Sequence, residues 1–197
     1  MPSPPTIQTI GHSNHSAEHF LQLLKSHQIE VVVDTRSQPY SNYATHFDQS
    51  PLKQSLTQNG YQYLYLGREL GGRPEGSEFY DSKGHVLYHR VAQSELFLQG
   101  LARLESGMQK FRIALLCAEE NPAHCHRRLL VTRVLIERGI HVDHIRGDGR
   151  LQSESDLARE LDDSADQIPL FAETKDDAWK SIPSVSRKKP QPNSSRS

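Results

Sequence analysis

The stretch "IEVVVD" (residues 29–34) decides the fold class of this 197-residue chain. Successive side chains of a strand point to opposite faces, so three consecutive valines require apolar cover on both faces of the sheet. Such sheets are typically parallel and carry helices on both sides. Four further apolar or β-branched runs have the length of strands: "TIQTI" (6–10), "YQYLYL" (61–66), "FRIALLC" (111–117) and "IHVDHI" (140–145).

Helical patterns alternate with these strands and cover residues 16–27, 50–60, roughly 91–104 and 125–139. The first begins at a Ser16 cap, and the last ends at Gly139, as capping preferences favour. The third carries an apolar stripe: Val91, Leu96, Leu98, Leu101 and Leu104. Strands that alternate with helices predict right-handed crossovers and hence a parallel sheet.

We therefore predict an α/β domain over residues 1–150. Its architecture is a three-layer sandwich with a mostly parallel sheet of about five strands. Residues 151–197 are polar, charged and rich in serine and proline, with at most one short helix around residues 156–161. Such a segment buries too little apolar surface to offset its chain entropy, so we expect a mostly disordered tail.

Charge and apolar content restrict the class of protein. The formal net charge is −1, which excludes a bulk electrostatic attraction to nucleic acid or anionic lipid, so any anion site has to be local. No apolar run reaches the roughly 20 residues that span a bilayer, and the N-terminus lacks the pattern of a secretion signal. We expect a cytoplasmic protein without membrane contact, whose two cysteines are reduced.

Reactive residues follow the ends of four predicted strands. In an open parallel sheet these ends meet at one edge, where ligands bind. The first loop contributes His12; the second Asp34, Arg36 and Tyr40; the third Arg68 and Arg73; the fourth Cys117, Glu119, Cys125, His126 and Arg127. Taken singly, each has a structural explanation, but four adjacent loops together predict a site.

Both cysteines of the chain lie in the fourth loop. Cys125 opens a predicted helix, whose N-terminus favours a thiolate, so the sequence favours Cys125 as the nucleophile. Glu119 is a candidate general base, or a partner that holds His126 in one tautomer.

Three interpretations follow from this cluster. The first is an enzyme in which one cysteine attacks and the other resolves the adduct, with Cys117, Glu119, Cys125, His126, Asp34 and His12 as catalytic residues. Its substrate is anionic and phosphate-bearing, a nucleotide or nucleic acid, and is held by Arg36, Arg68, Arg73, Arg127 and Tyr40. No cofactor is predicted for this enzyme.

The second interpretation is a metal site for zinc or iron formed by Cys117, Cys125 and His126, although the spacing matches no standard zinc module. In the third, Cys117 is a small buried hydrophobe and Cys125 caps a helix.

Four motifs, "TIGHSNHS", "VVVDTRSQPYS", "YLYLGRELGGRP" and "CAEENPAHCHRRLL", resemble in order and spacing the family known as domain of unknown function 488. The resemblance covers roughly residues 6–149. It implies an α/β architecture and no particular reaction. The characteristic positions of the family correspond here to His12, Asp34, Arg36, Gly67, Gly71, Cys117, Glu119, Cys125, His126 and Arg127.

A second motif lies in the polar tail. The pentapeptide "QIPLF" (167–171) resembles the short peptides by which bacterial replication and repair proteins bind the DNA sliding clamp. In that interpretation Leu170 and Phe171 fill an apolar pocket and Gln167 bonds at its edge, which makes the chain a DNA-maintenance factor without enzymatic activity of its own. Alternatively the peptide folds back onto the domain.

Overall fold

The computed structural model of the chain describes residues 5–41, 43–164 and 179–182. Its sheet has six strands in the order β3-β2-β4-β1-β5-β6. The strands are β1 (Thr6–Gly11), β2 (Val31–Asp34), β3 (Gln62–Tyr65), β4 (Ile113–Cys117), β5 (His141–Ile145) and β6 (Leu151–Ser153). The first five are mutually parallel, and β6 pairs antiparallel with β5, so the predicted mostly parallel α/β fold is confirmed.

Six α-helices flank the sheet within the described ranges: α1 (Ala17–Ser26), α2 (Gln49–Gln58), α3 (Tyr88–Gln93), α4 (Glu95–Met108), α5 (Arg133–Glu137) and α6 (Glu154–Asp163). Ser16 caps α1 as predicted, because its side chain accepts a hydrogen bond from the His19 amide. None of the described helices is long and apolar enough to cross a membrane.

Alternating strand residues build two separate cores, one on each face of the sheet. Val31 and Val33 face one core with Leu115, while Val32 faces the other with Leu116. Helices α3, α4 and α5 cover the first face, and α1 and α2 cover the second. The valine run of β2 is therefore buried on both sides, as its sequence requires.

Two helices differ from their predictions. In α4 the core side consists of Phe97, Leu101 and Leu104, whereas the predicted stripe members Leu96 and Leu98 are 46% and 40% exposed. The helix predicted over residues 125–139 is divided into a π-helical segment, Arg127–Thr132, followed by α5. The wider π turn places six consecutive buried residues after the fourth loop, two of them arginines.

The sheet extends past residue 150, where the sequence predicts the end of the domain. Strand β6 adds to the β5 edge, and the predicted short helix is present as α6. Residues 179–182 return to the domain: the Tyr88 amide donates to the Trp179 carbonyl at 3.0 Å, and the indole Nε1 donates to the Leu129 carbonyl. The "QIPLF" peptide, with Gln167, Leu170 and Phe171, lies outside the described residues.

Candidate functional site

The order of the strands gathers the reactive loops at one edge of the sheet. Strand β4 lies between β2 and β1, so the loops that follow Gly11, Asp34 and Cys117 are spatial neighbours. They surround a cleft of about 260 Å³. The sequence-predicted residues that line it are His12, Arg36, Tyr40, Arg73, Cys117, Glu119, Cys125 and His126.

Two thiols lie side by side at the floor of this cleft. The Sγ atoms of Cys117 and Cys125 are 3.1 Å apart, in hydrogen-bond contact and not joined as a disulfide. Both residues are buried, with exposed fractions of 5% for Cys117 and 1% for Cys125. Cys117 is the last residue of β4 and pairs with Gly11 of β1. Cys125 lies directly before the helical segment, so a different element positions each thiol.

The imidazole of His126 faces both sulfurs. Its Nδ1 is 3.6 Å from the Cys117 sulfur and 3.8 Å from the Cys125 sulfur. Its Nε2 lies 3.1 Å from the Thr35 carbonyl oxygen, which only accepts hydrogen bonds, so Nε2 carries the proton. In the neutral ring Nδ1 is then an acceptor for a thiol proton. The sequence suggests Glu119 as the group that holds His126 in one tautomer, but in the structure the Thr35 carbonyl does so.

The hydrogen bond between the two thiols shifts their pKa values in opposite directions. A hydrogen bond from the Cys125 thiol lowers the pKa of Cys117 well below its usual range, and His126 lowers it further. Burial raises the pKa of Cys125, and so does its hydrogen bond to Cys117. The structure thus favours Cys117 as the thiolate, whereas the sequence favours Cys125, because burial of Cys125 and its hydrogen bond to Cys117 outweigh the backbone amide of Arg127 at the start of the helical segment.

The buried Arg127 adds positive potential at the Cys117 thiol. Arg127 is fully buried, and its guanidinium donates to the backbone carbonyls of Glu119 and Glu120. Its Nε has no acceptor among the residues that the structure describes. Arg127 does not line the cleft, and its charge lowers the pKa of Cys117.

Arg36 forms the fixed positive wall of the cleft. Its Nε and Nη2 bond both carboxylate oxygens of Asp34 at 2.9 and 2.6 Å, and the Tyr63 hydroxyl donates to the same carboxylate. Burial raises the pKa of Tyr63, so this hydroxyl stays protonated and remains a donor. Asp34 is completely buried and acts through Arg36, which is a positioning role.

His12 completes the support of Arg36. Its Nδ1 donates to the Ser13 carbonyl at 2.7 Å, so its Nε2 is the acceptor for Arg36 Nη1 at 3.0 Å. Burial and the neighbouring guanidinium lower the pKa of His12 to about 4. The lone pair on Nε2 of the neutral His12 ring thus accepts from Arg36 and holds that guanidinium in place.

Glycines allow the loops to approach this closely. A Cβ on Gly72 would lie 2.7 Å from Cβ and Cγ of His126, and a Cβ on Gly11 would overlap the Glu119 carbonyl. A Cβ on Gly71 would meet the Gly67 carbonyl at 2.1 Å. Close packing, and not a positive φ, explains the glycine pair of the third loop.

The remaining predicted residues lie at the rim of the cleft or outside it. Glu119 and Tyr40 are exposed on the cleft rim. Arg73 is also exposed, and it separates the cleft from a neighbouring pocket of about 120 Å³ that contains Arg68. The structure therefore brings the thiols, His126 and Arg36 together and leaves Arg68 outside the cleft.

Most of the segment that carries the cleft matches a family model. The model of a domain of unknown function, DUF488, matches residues 16–134, more than half of the chain. The chain belongs to the DUF488 family. The matched segment contains both thiols and the Asp34–Arg36 pair, and it begins after His12. No curated protein and no solved structure matches the chain significantly.

This DUF488 protein also has a buried polar network that the sequence does not indicate. Arg128 and His144 both bond the Glu154 carboxylate at 2.8 Å, and Thr9 bonds the other ring nitrogen of His144. All four residues are buried. By its sequence Glu154 is a surface residue of a polar tail, and only its buried partners in other elements, the cation Arg128 and the imidazole of His144, reveal its role.

Proposed function

We propose that this chain is a thiol-dependent enzyme in which Cys117 attacks an anionic, phosphate-bearing substrate, a nucleotide or nucleic acid, and Cys125 acts as the second thiol. The observation that carries the proposal is the 3.1 Å contact of two sulfurs at the floor of a cleft walled by Arg36. A cytoplasmic location accords with this chemistry, because that compartment keeps thiols reduced.

The first step uses the geometry around His126. The Cys117 thiolate attacks an electrophilic atom of the substrate and forms a bond from sulfur to that atom, while the leaving group departs with the bonding electron pair. The proton that left Cys117 resides on Nδ1 of His126, 3.6 Å from the sulfur, and passes to the leaving group. Before the attack, the Cys125 thiol stabilises the Cys117 thiolate through the hydrogen bond between the two sulfurs.

The second step uses the adjacent sulfur. Cys125, deprotonated by His126, attacks the Cys117 sulfur and forms the disulfide, while the bound group leaves with the electron pair of the broken bond and takes the proton from His126. The attacked atom of the phosphate-bearing substrate is therefore a sulfur or a peroxide oxygen, because a carbon or phosphorus atom would have to leave as a carbanion or a phosphite. The substrate is thereby reduced by two electrons, and the enzyme carries a disulfide. An external thiol regenerates the dithiol by exchange.

Two arginines of the cleft, Arg36 and Arg73, support an anionic substrate. The Arg36 guanidinium is locked by Asp34 and His12, so its remaining donors offer a preorganised anion site beside Cys117. Arg73 provides a second, exposed cation on the same cleft. These two residues carry the interpretation of a phosphate-bearing substrate.

Alkylation of the two thiols tests the nucleophile. We expect iodoacetamide to modify Cys117 before Cys125 at neutral pH in reduced, chelator-treated protein, as read by mass spectrometry of the two peptides. Cys125→Ser keeps a hydrogen-bond donor and Cys125→Ala removes it, so the pKa of Cys117 should be higher in the alanine variant and its alkylation slower at the pH values where the thiol titrates, by about 10-fold for each pKa unit below the midpoint. Prior modification of Cys125, or equal rates in the two variants, would contradict the proposal.

Protection of Cys117 tests the anion site. Adenosine monophosphate, compared with sodium chloride at the same ionic strength, should slow the alkylation of Cys117 in the parent protein. The protection should weaken in Arg73→Ala and persist in Arg112→Ala, an exposed arginine of another surface. Equal alkylation rates with and without the nucleotide would remove the support for a phosphate-bearing substrate.

A further inference from the structure

We propose that Cys117, Cys125 and His126 also form a zinc site, so that the cluster exists in a metal-bound form besides the thiol form described above. Their three donor atoms lie within 4.8 Å of one another, and all three residues are buried. Two sulfurs with one imidazole nitrogen are a donor set that suits tetrahedral Zn²⁺.

The distances between the donor atoms match the edges of a zinc tetrahedron. Zinc–sulfur bonds of about 2.3 Å and zinc–nitrogen bonds of about 2.0 Å require edges of about 3.6 Å for sulfur to nitrogen and about 3.8 Å for sulfur to sulfur. The two observed sulfur–nitrogen distances are 3.6 and 3.8 Å. The sulfurs, 3.1 Å apart, have to separate by only about 0.7 Å, which small rotations of the side chains provide.

The surroundings of His126 are those of a metal ligand. Ligating histidines usually donate their other ring N–H to a carbonyl or carboxylate, which fixes the ring orientation. His126 does so toward the Thr35 carbonyl, and its ring packs against Gly72, so Nδ1 is directed at the sulfurs before any ion binds. Little ordering entropy remains to be lost on binding.

Charge and access also suit a divalent ion. Two thiolates neutralise the charge of Zn²⁺, and a thiol that coordinates the ion loses its proton on binding. All three ligands line the same cleft, so the fourth coordination position is reached from the cleft. Such a position is open to water or an anion beside Arg36, which is the arrangement of a catalytic and not of a closed structural zinc site.

Zinc titration of the full chain against a chromogenic chelator tests this site. We expect one tight Zn²⁺ per reduced chain, an affinity lowered on the order of 100-fold or more in Cys117→Ser and Cys125→Ser, and no change in His124→Ala, an exposed histidine of the same loop. Cobalt should add the absorption bands of a tetrahedral thiolate complex. Because the buried variants can lose stability, the parent protein provides a second measurement, in which one equivalent of Zn²⁺ should protect both thiols from iodoacetamide.

Absence of stoichiometric binding to the parent, binding that survives in the double variant Cys117→Ser/Cys125→Ser, or binding lost in His124→Ala would overturn the zinc proposal. Failure of this proposal is distinguishable from failure of the thiol mechanism, because the alkylation order of the two cysteines is measured in chelator-treated protein.

Discussion

At the scale of single residues, the contact between Gly72 and His126 controls the site. A methyl group on Gly72 would lie 2.7 Å from Cβ and Cγ of His126 and 3.0 Å from its Nδ1, so Gly72→Ala has to displace the imidazole. We expect the pKa of Cys117 to rise, since the hydrogen bond to Nδ1 is lost, and its alkylation to slow at the pH values where the thiol titrates. Iodoacetamide kinetics across that pH range measure the effect.

Gly107→Ala is the matched control for that substitution. Gly107 lies in helix α4, and its new methyl group would meet only the Cδ1 atom of Ile113 from strand β4, at 3.1 Å. Alanine favours a helix over glycine by up to about 1 kcal/mol, so the control should fold normally and keep the parent alkylation rate. Equal slowing in both variants would indicate a general packing defect.

Glu120 links the fourth loop to the turn after β5. Its carboxylate bonds Arg146 and the Gly147 amide, and the Arg146 bond lowers the pKa of Glu120 to about 2. A folded pKa below the unfolded value of about 4.5 contributes stability above pH 4.5, and this contribution disappears as pH falls toward 2. After screening at this partly exposed position we expect about 1–2 kcal/mol.

Urea unfolding between pH 5 and about pH 3 measures that contribution. Glu120→Gln should flatten the decline of the unfolding free energy over this window, whereas Glu119→Gln, an exposed neighbour, should follow the parent curve. A parent-like slope in Glu120→Gln would show that the ion pair with Arg146 does not form in solution.

At the scale of elements, Glu154 ties helix α6 to the sheet. Its carboxylate lies between Arg128 and His144, both almost completely buried. Glu154→Gln leaves a buried guanidinium without its counter-charge, so we expect a loss of about 3–5 kcal/mol in the free energy of unfolding. Denaturant titration monitored by circular dichroism measures it.

The exposed pair Arg138–Glu105 is the control for that loss. Both side chains are about a third or more exposed, so Glu105→Gln should cost less than about 1 kcal/mol. If both substitutions cost the same, the Glu154 network is not a buried, paired cluster.

Local patterns predicted the parallel strands but not the edge of the sheet. The run of Val31 to Val33 and the strand before Cys117 are apolar on both faces, which only a covered strand tolerates. Strand β6 reads "LQS", short and polar, and its place depends on pairing with β5. The exposure of Leu96 and Leu98 similarly depends on which face of α4 meets the sheet.

At the scale of the whole molecule, topology explains what the sequence could predict of the site. Parallel strands bring their carboxyl ends to one edge, so the sequence predicts that Asp34, Cys117 and His12 lie at the same edge of the sheet, whereas the strand order that makes them neighbours comes from the structure. The choice of hydrogen-bond partners did not, because it depends on atoms of distant segments. The Thr35 carbonyl that orients His126, and the Cys125 thiol that stabilises Cys117, are such partners.

The segment 165–178 carries a separate prediction for the whole chain. If the "QIPLF" peptide binds the DNA sliding clamp, the full chain should be retained on immobilised clamp, and Gln167→Ala and Phe171→Ala should each reduce that retention about 10-fold or more. Ser155→Ala, an exposed position of α6, serves as the control. Equal retention of the parent and both peptide variants would exclude this partner.

Cys117 and Cys125 should react as one pair when the protein is oxidised. Reduced, chelator-treated protein exposed to one equivalent of hydrogen peroxide tests this pairing, because the chain has no third cysteine. Mass spectrometry should find a single Cys117–Cys125 disulfide, formed as the peroxide is reduced to two waters, and Cys125→Ser should stop at a sulfenic acid on Cys117 that dimedone captures. Two thiols that remain free, or that oxidise independently to sulfinic acids without a disulfide, would show that the two cysteines are not a reactive pair.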